Sequence, residues 1–293
     1  QVSHFALAAG DRIEIMRGPF SALYGNSSGG VVQLWSADGT PDPRVDLRAT
    51  AGRYGHLAGS ARLRGTAAGT GYNLAASVVD GDGYRDHSAA RRTSLNAHLH
   101  RDVPGGGRLD LSGNHFHAPD AQDPLGLTAA QMREDPRQAV AAAHTFNTRK
   151  SVRQDQLGLH WRQPLGSGWN LRAGTWAGER SVVQSLPLPV AAQANPLNSG
   201  GVIDLDNAYG GVDARLAWES GDGRLEFTAG AGVERQRQLR RGYENFRDGG
   251  GGPLLGVRGV LRRDERDTVR SFDQYAQAWW RISPRWALQA GAR

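Results

Sequence analysis

The 293-residue sequence contains no cysteine, and this absence excludes both a disulfide framework and a thiolate metal site. No apolar run approaches the roughly 18 residues that a membrane helix needs. Two classes of protein remain. One is a soluble protein, and the other is a membrane β-barrel, whose alternating strands do not produce long apolar runs.

Signatures of catalysis and secretion are also missing. The sequence has neither a G-x-S-x-G element for a nucleophilic serine nor a G-x-x-x-x-G-K phosphate loop. No pair of carboxylates stands out from the dispersed charges, so we expect a protein that is not an enzyme. The first ten residues lack the basic segment and apolar core of a signal peptide.

The charge balance is basic, with a formal net charge of +6, and the arginines are spread through the chain. No basic helix or aromatic RNA-binding signature accompanies them, so we expect no nucleic acid partner. A positive balance instead suits an anionic ligand or the anionic head groups of membrane lipids.

A glycine-rich stretch near the start is followed by a change in the character of the sequence. Isoleucines alternate over residues 13–15, and valine and leucine alternate over residues 32–34, which predicts a strand, a compact turn and a second strand. The Gly-Pro pair at 18–19 ends the first strand, and the two glycines at 29–30 allow a sharp turn into the second.

From residue 44 onward, apolar and polar residues alternate in about eleven segments. Charges occupy many of the polar positions, which a water-filled lumen accepts and a dry core rejects. The polar face also fits the outside of a soluble sandwich. The predicted strands lie at about residues 44–52, 57–66, 72–79, 92–100, 108–117, 156–162, 169–177, 212–219, 224–234, 270–282 and 285–292.

The lengths of the connections favour the barrel. Tight turns rich in Gly, Ser and Pro alternate with long segments, and the segment near residues 52–56 is the exception. Short turns on one rim and long loops on the other are typical of outer-membrane barrels. Aromatic residues flank three short turns, as in an interfacial girdle. They are Trp161, Trp169, Trp218, Phe227, Trp280 and Trp286.

Residues 12–36, RIEIMRGPFSALYGNSSGGVVQLWS, carry R-G-P, A-L-Y-G and G-G elements in order. This stretch resembles the end of the plug domain of TonB-dependent outer-membrane receptors. The resemblance implies that residues 1–40 are the C-terminal part of a plug and residues 41–293 the N-terminal half of an all-β, antiparallel transmembrane barrel. Such plugged transporters have 22 strands, so we expect a fragment whose signal peptide, TonB-contacting segment and remaining strands lie outside it.

The resemblance also implies roles for residues of this stretch. Plug charges at these positions pair with barrel charges, which assigns plug–barrel pairing to Glu14 and Arg17. Turn residues of the same stretch are expected to be structural. They are Gly18, Pro19, Tyr24, Gly25, Gly29 and Gly30.

Two long loops resemble those of iron-chelate receptors of this family, namely residues 82–88 and 119–149, the second with a short helix interrupted at Pro136. Basic residues near the predicted external strand ends suit an anionic chelate, although solvation or contact with lipopolysaccharide explains each one equally well. The candidate ligand-binding residues are Arg85, His87, His115, His117, Arg153 and Arg180.

Four histidines, His98, His100, His115 and His117, invite a metal site. Metal ligation needs three or four convergent ligands, so we interpret them as polar residues facing the lumen and expect no metal site or cofactor. Iron enters only within the transported chelate.

The resemblance implies import of a ferric siderophore across the bacterial outer membrane. External loops and plug bind the chelate, and the TonB–ExbB–ExbD complex supplies energy through the upstream segment. Outer-membrane lipid and lipopolysaccharide are expected surroundings. Open alternatives are a passive porin, a surface-binding or adhesin barrel, or uptake of cobalamin, haem, copper or sugar.

Overall fold

The computed structural model describes residues 7–17, 21–25 and 29–293. A 3-10 turn, Leu7–Ala9, leads into strand β1, Gly10–Arg17; helix α1, Ser21–Tyr24, precedes strand β2, Gly30–Ser36. β1 and β2 pair antiparallel, with Ile13 opposite Leu34. The two predicted strands are thus confirmed, and helix α1 lies between them where a compact turn was expected; we call the strand pair the small sheet. Residues 18 and 19 lie outside the described part.

The remaining long strands form one antiparallel sheet of eleven, each pairing with the next along the chain. This confirms the predicted set of about eleven strands. In the described part, β3 and β15 are the edge strands. The strands are β3 Arg44–Ala51, β4 Leu57–Ala67, β5 Thr70–Gly81, β6 Ala90–Val103, β7 Gly107–Gln122, β8 Arg149–Gly166, β9 Trp169–Ser185, β10 Val202–Glu219, β11 Leu225–Tyr243, β14 Leu261–Ser283 and β15 Trp286–Ala292.

Short turns and long loops lie at opposite ends of the strands. Turns such as 68–69 and 167–168 use positive φ at Ala68, Gly69, Ser167 and Gly168, which lets the chain reverse in two residues. The long loops hold small elements of their own. These are helices α2 Ala129–Glu134, α3 Ala141–Thr145 and α4 Val190–Gln193, and the hairpin of β12 Phe246–Arg247 with β13 Leu254–Leu255.

The interrupted helix predicted within residues 119–149 is two short helices, α2 and α3, and Pro136 lies between them as expected. Among the residues that the structure describes, no helix combines the length and apolar character needed to span a membrane.

The two faces of the large sheet differ in chemistry because side chains alternate along each strand. One face, here the outer face, presents exposed apolar side chains such as Leu47, Leu157 and Phe272. The tryptophans beside the short turns share it, and Trp169 and Trp218 have ring centroids 6.3 Å apart. The other face, the inner face, is polar and carries the small sheet and the loops.

Apolar burial is concentrated on the inner face near the long loops. Phe116, Val152 and Val182 pack together there, with Ala118 and Leu205 against them. This cluster joins β7, β8, β9 and β10 just below the long loops, so it stabilises the polar part of the inner face beside it.

Candidate functional site

The segment from Ala37 to Thr40, which links β2 to β3, lies on the inner face of β4 to β7; we call it the linker. Asn73 is fully buried, and its amide donates to the carbonyls of Ala9 at 2.9 Å and Ala37 at 3.1 Å. The ring Nδ1 of His98 lies 3.1 Å from the Ala37 carbonyl. These contacts attach the end of the small sheet to the wall of the large one.

Charged groups complete this attachment. Arg108 donates to both carboxylate oxygens of Asp38, at 2.7 and 2.5 Å, and to Asp110 at 2.8 Å. The hydrogen bond from Arg108 lowers the pKa of the Asp38 carboxyl below its ordinary value. The linker is therefore held by a bidentate ion pair as well as by hydrogen bonds.

Asp38, His98 and Asp110 place possible metal-ligand atoms within 4.8 Å of one another. Arg108 already donates to both carboxylates, and the Nε2 of His98 lies 3.0 Å from Asp110. The guanidinium thus supplies the positive charge that a metal ion would bring, and the chemistry of this donor set fits an ion-pair network.

A second polar region covers the inner face of β8 to β11. The phenol of Tyr209 donates to Gln156 at 2.9 Å and accepts from Gln154 at 3.3 Å. The side-chain Oδ1 of Asn207 accepts hydrogen bonds from the amides of Gln236 at 3.2 Å and Gln238 at 2.8 Å. We call these six residues the amide wall; they present neutral donors and acceptors toward the space beside the small sheet.

One cavity adjoins the amide wall, and a larger one lies next to it. A cavity of about 680 Å³ separates α1 from the inner face and is lined in part by Tyr24, Trp176 and Asp213. A smaller one of about 190 Å³ includes Tyr209 and Gln236 in its lining, and Trp176 borders both. The wall therefore faces open volume, whereas the linker contacts are filled.

Of the predicted ligand residues, Arg180 lies on this wall. The register places it between Gln154 and Asn207, whose amide donates to the Arg180 carbonyl at 3.4 Å. Its guanidinium is half-buried and adds one positive charge to a neutral surface.

Arg85, predicted to bind a ligand, directs its guanidinium to backbone carbonyls of a neighbouring loop. Its guanidinium donates to the carbonyls of Leu125 at 2.5 Å, Pro124 at 3.1 Å and Gln138 at 2.8 Å. His87 similarly has Nε2 2.8 Å from the Thr148 carbonyl. Both side chains hold the loop between β7 and β8 in place.

The remaining loops are joined by buried amides. Gln193 donates to Asn245 at 2.7 Å, and Asn245 donates to the carbonyls of Leu186 at 2.8 Å and Leu188 at 3.0 Å. Since Gln193 and Asn245 belong to different loops, this pair fixes the β9–β10 loop against the β11–β14 loop. The long loops are thus tied together in two groups, one formed by the β5–β6 and β7–β8 loops and the other by the β9–β10 and β11–β14 loops.

His115, His117 and Arg153 lie on the outer face. In the register His115 opposes Leu95 and Asp155, on the same side of the sheet as the exposed Leu157. His115 Nδ1 lies 2.5 Å and Arg153 Nε 2.9 Å from the Asp155 carboxylate. The expectation of lumen-facing histidines holds for His98 and His100, which contact the linker. It was wrong for His115 and His117, because their side chains lie on the face of β7 away from the small sheet.

The predicted pairing of Glu14 and Arg17 with the barrel stays a prediction. Glu14 forms its ion pair with Arg12 of the same strand, at 3.0 Å, and Arg17 is exposed at the end of β1. Gly25 and Gly30 have φ of 69° and 133°, values that favour glycine. A side chain at Gly30 would also meet the Met16 carbonyl, consistent with a structural role.

Sequence reasoning missed all six amide-wall residues and Asn73. A usable signal existed, since glutamines recur at i and i+2 in 154–156 and 236–238, which places each pair on one strand face. Asn73 gave no signal of its own, because its partners lie 36 and 64 residues away.

No family model matches the sequence. The structure is similar to the ferripyoverdine receptor of the outer membrane of Pseudomonas aeruginosa, with a TM-score of 0.75 and 14% identity, covering 99% of this chain and 43% of that one. It is also similar to the siderophore receptor PiuA from Acinetobacter baumannii, with a TM-score of 0.71 and 15% identity, covering 97% and 46%.

The copper transporter OprC gives a TM-score of 0.73 at 12% identity, covering 99% of this chain and 42% of that one. This chain therefore spans less than half the length of each of these three structures. The similarity confirms the predicted fold class, an all-β antiparallel sheet that forms part of a barrel.

Proposed function

We propose that this chain is part of a TonB-dependent receptor that imports a ferric siderophore across the bacterial outer membrane. The amide wall is the observation that carries the proposal: it is a polar surface on the inner face, beneath tied loops and beside open volume. The similar structures are named as receptors and transporters, so the proposal includes no catalytic step.

The outer face supports the membrane location. About 9–11 residues of a tilted strand cross a bilayer, whereas β8 to β11 and β14 have 17 to 23 residues. With the tryptophan rim at one interface, the excess length extends beyond the other, on the side of the long loops. In this orientation the short turns face the periplasm.

Residues 1–40 would act as the end of the plug and residues 41–293 as barrel wall. The contacts of Asn73, His98 and Arg108 with the linker support this division, because they hold the chain where it passes between the two sheets. Force applied to the plug by the TonB–ExbB–ExbD complex would stop at this attachment, so the linker would stay in place while upstream parts move.

Cargo recognition would use the amide wall and Arg180. Amide and phenol groups both donate and accept hydrogen bonds, so the wall would bind a polar chelate, and Arg180 would add a charge-assisted bond to an anionic group. Arg85 and His87 would contribute by fixing the loop above.

Growth under iron limitation tests the proposal. Cells with and without the complete gene are grown on individual ferric siderophores. With at least one siderophore, only the cells that carry the gene should grow. Q236A should weaken uptake of that chelate by about fivefold, the loss expected for one neutral hydrogen bond. Q274A is the matched control, since Gln274 opposes Ala231 on the outer face. Growth independent of the gene with every siderophore would contradict the proposal.

A further inference from the structure

Two histidines of β6 contact the linker side by side. His98 and His100 are separated by one residue, so both project from the inner face, and their ring centroids are 5.8 Å apart. His98 contacts the linker at Ala37 and His100 contacts it at Gly39. We call these two residues the histidine clasp.

Both ring nitrogens of His98 face groups that only accept hydrogen bonds. Nδ1 lies 3.1 Å from the Ala37 carbonyl, and Nε2 lies 3.0 Å from the Asp110 carboxylate. A neutral imidazole has a single N–H, whereas the imidazolium has two. Both bonds can therefore form only when the ring is protonated. His98 is 8% exposed, so the loss of either bond leaves a buried polar group without its partner.

His100 has the opposite requirement. Its Nε2 accepts a hydrogen bond from the Gly39 N–H at 3.1 Å, and only a nitrogen without a proton can accept. Close packing fixes this contact on both sides. A Cβ at Gly71 would overlap Nε2 of His100, and a Cβ at Gly39 would overlap the Gly65 carbonyl.

The surrounding charges favour the same division of roles. His98 contacts the Asp110 carboxylate directly, whereas His100 makes no such contact within the described part of the chain. An imidazolium at His98 also opposes a second positive charge on the neighbouring ring. The other charged groups that face the clasp are Asp38 of the linker, Arg62 and Arg64 of β4, Asp102 of β6, Arg108 of β7 and Arg162 of β8.

We infer that the histidine clasp holds the linker fully only while His98 is protonated and His100 is neutral, so the attachment has a pH optimum. Rising pH removes the second donor of His98, and falling pH removes the acceptor of His100. Histidine ordinarily titrates near pH 6.5, so mild changes of pH act on both. The clasp lies near the short turn at 104–106; that this turn meets the pH of the periplasm is the one point that rests on the proposed function.

Solid-state NMR tests the two protonation states directly. The complete protein, labelled with nitrogen isotope in histidine, is reconstituted in lipid at about pH 6.5. The ring signals that disappear in H98N should be those of an imidazolium. The signals that disappear in H100Q should be those of a neutral ring with its proton on Nδ1. A neutral ring at His98 or an imidazolium at His100 would overturn the inference.

Urea unfolding of the complete protein in detergent tests the pH optimum, with measurements at about pH 4.5 and about pH 9. The parent should exceed H98N about tenfold in the folding equilibrium constant at the acid value. This advantage should shrink at the alkaline value, because the parent has then lost the proton of His98. H98Q replaces H98N if that variant does not fold.

H100Q should show the opposite trend, because its side-chain oxygen can accept from Gly39 at either pH. It should match the parent at about pH 9 and exceed it about fivefold at about pH 4.5. H160N is the matched control, since it removes an exposed histidine of β8 on the same face, and its difference from the parent should not depend on pH. Differences that change in the same direction for H98N and H100Q would overturn the inference. Neither measurement involves siderophore uptake, so failure of the clasp and failure of the proposed transport are distinguishable.

Discussion

Two polar regions of the inner face are built in opposite ways. Around the linker, Asn73 is fully buried and Arg108 engages Asp38 and Asp110, so nearly every polar group has a partner and little space is left. On the amide wall, neutral groups such as Gln236 are exposed beside a cavity. The first region holds two parts of the chain together, and the second offers hydrogen-bonding capacity to another molecule.

The comparison predicts that substitutions at the linker affect stability and substitutions on the wall affect binding. Charge and burial give the first region its strength, since an unpaired group there is costly. In the second region the polar groups are exposed beside a cavity, so they are available to bind another molecule. The predictions that follow separate these two roles.

The largest effect is expected for N73A. The substitution leaves the carbonyls of Ala9 and Ala37 without their donor and removes the acceptor of the Arg62 guanidinium. Each buried group left unsatisfied costs about 1–3 kcal/mol, so we expect about 3 kcal/mol of destabilisation, measured by urea unfolding in detergent. N114A, at an exposed inner-face asparagine of β7, should change stability little; equal losses would remove the special role of Asn73.

A smaller, pH-dependent effect is expected for D38N. Because Arg108 lowers the pKa of Asp38 in the folded protein, the carboxylate stabilises the fold above its ordinary pKa of 3.8, and this contribution is lost as the pH falls through the lowered value. The parent protein should therefore be more stable than D38N at pH 7. The difference should shrink below pH 3.8, as unfolding curves at both pH values would show. A difference that grows in acid would contradict the assigned ion pair.

The smallest effect is expected for Y209F. Removing the phenol oxygen takes away one donor and one acceptor between Gln154 and Gln156, both partly exposed, so stability should change by less than about 1 kcal/mol. Affinity for the chelate identified by the growth test should fall by a few-fold in equilibrium binding. W176F, next to the wall, is a second variant for comparison, since Trp176 borders both cavities. Normal affinity in Y209F would exclude the phenol from the site.

Sequence reasoning located all eleven strands of the large sheet but made several of them too short at the end beside the long loops. β14, predicted over 270–282, runs from Leu261, because its outer half carries charges on both faces and shows no apolar alternation. The assignment of faces failed in β7 for a related reason. Phe116 is apolar yet lies on the inner face, in the cluster with Val152 and Val182, so the pattern did not show which face His115 and His117 occupy.

The sequence by itself determined the strands of the large sheet, the sorting of short turns from long loops, and the two short strands at the start. These depend on neighbours a few residues apart, namely the period of two and the turn residues. Only the tertiary structure decided which polar groups meet. Arg85 contacts carbonyls 39 to 53 residues away, and Asn73 contacts carbonyls 36 and 64 residues away. Such partners depend on the register of the whole sheet, and a shift of one residue would reverse every face.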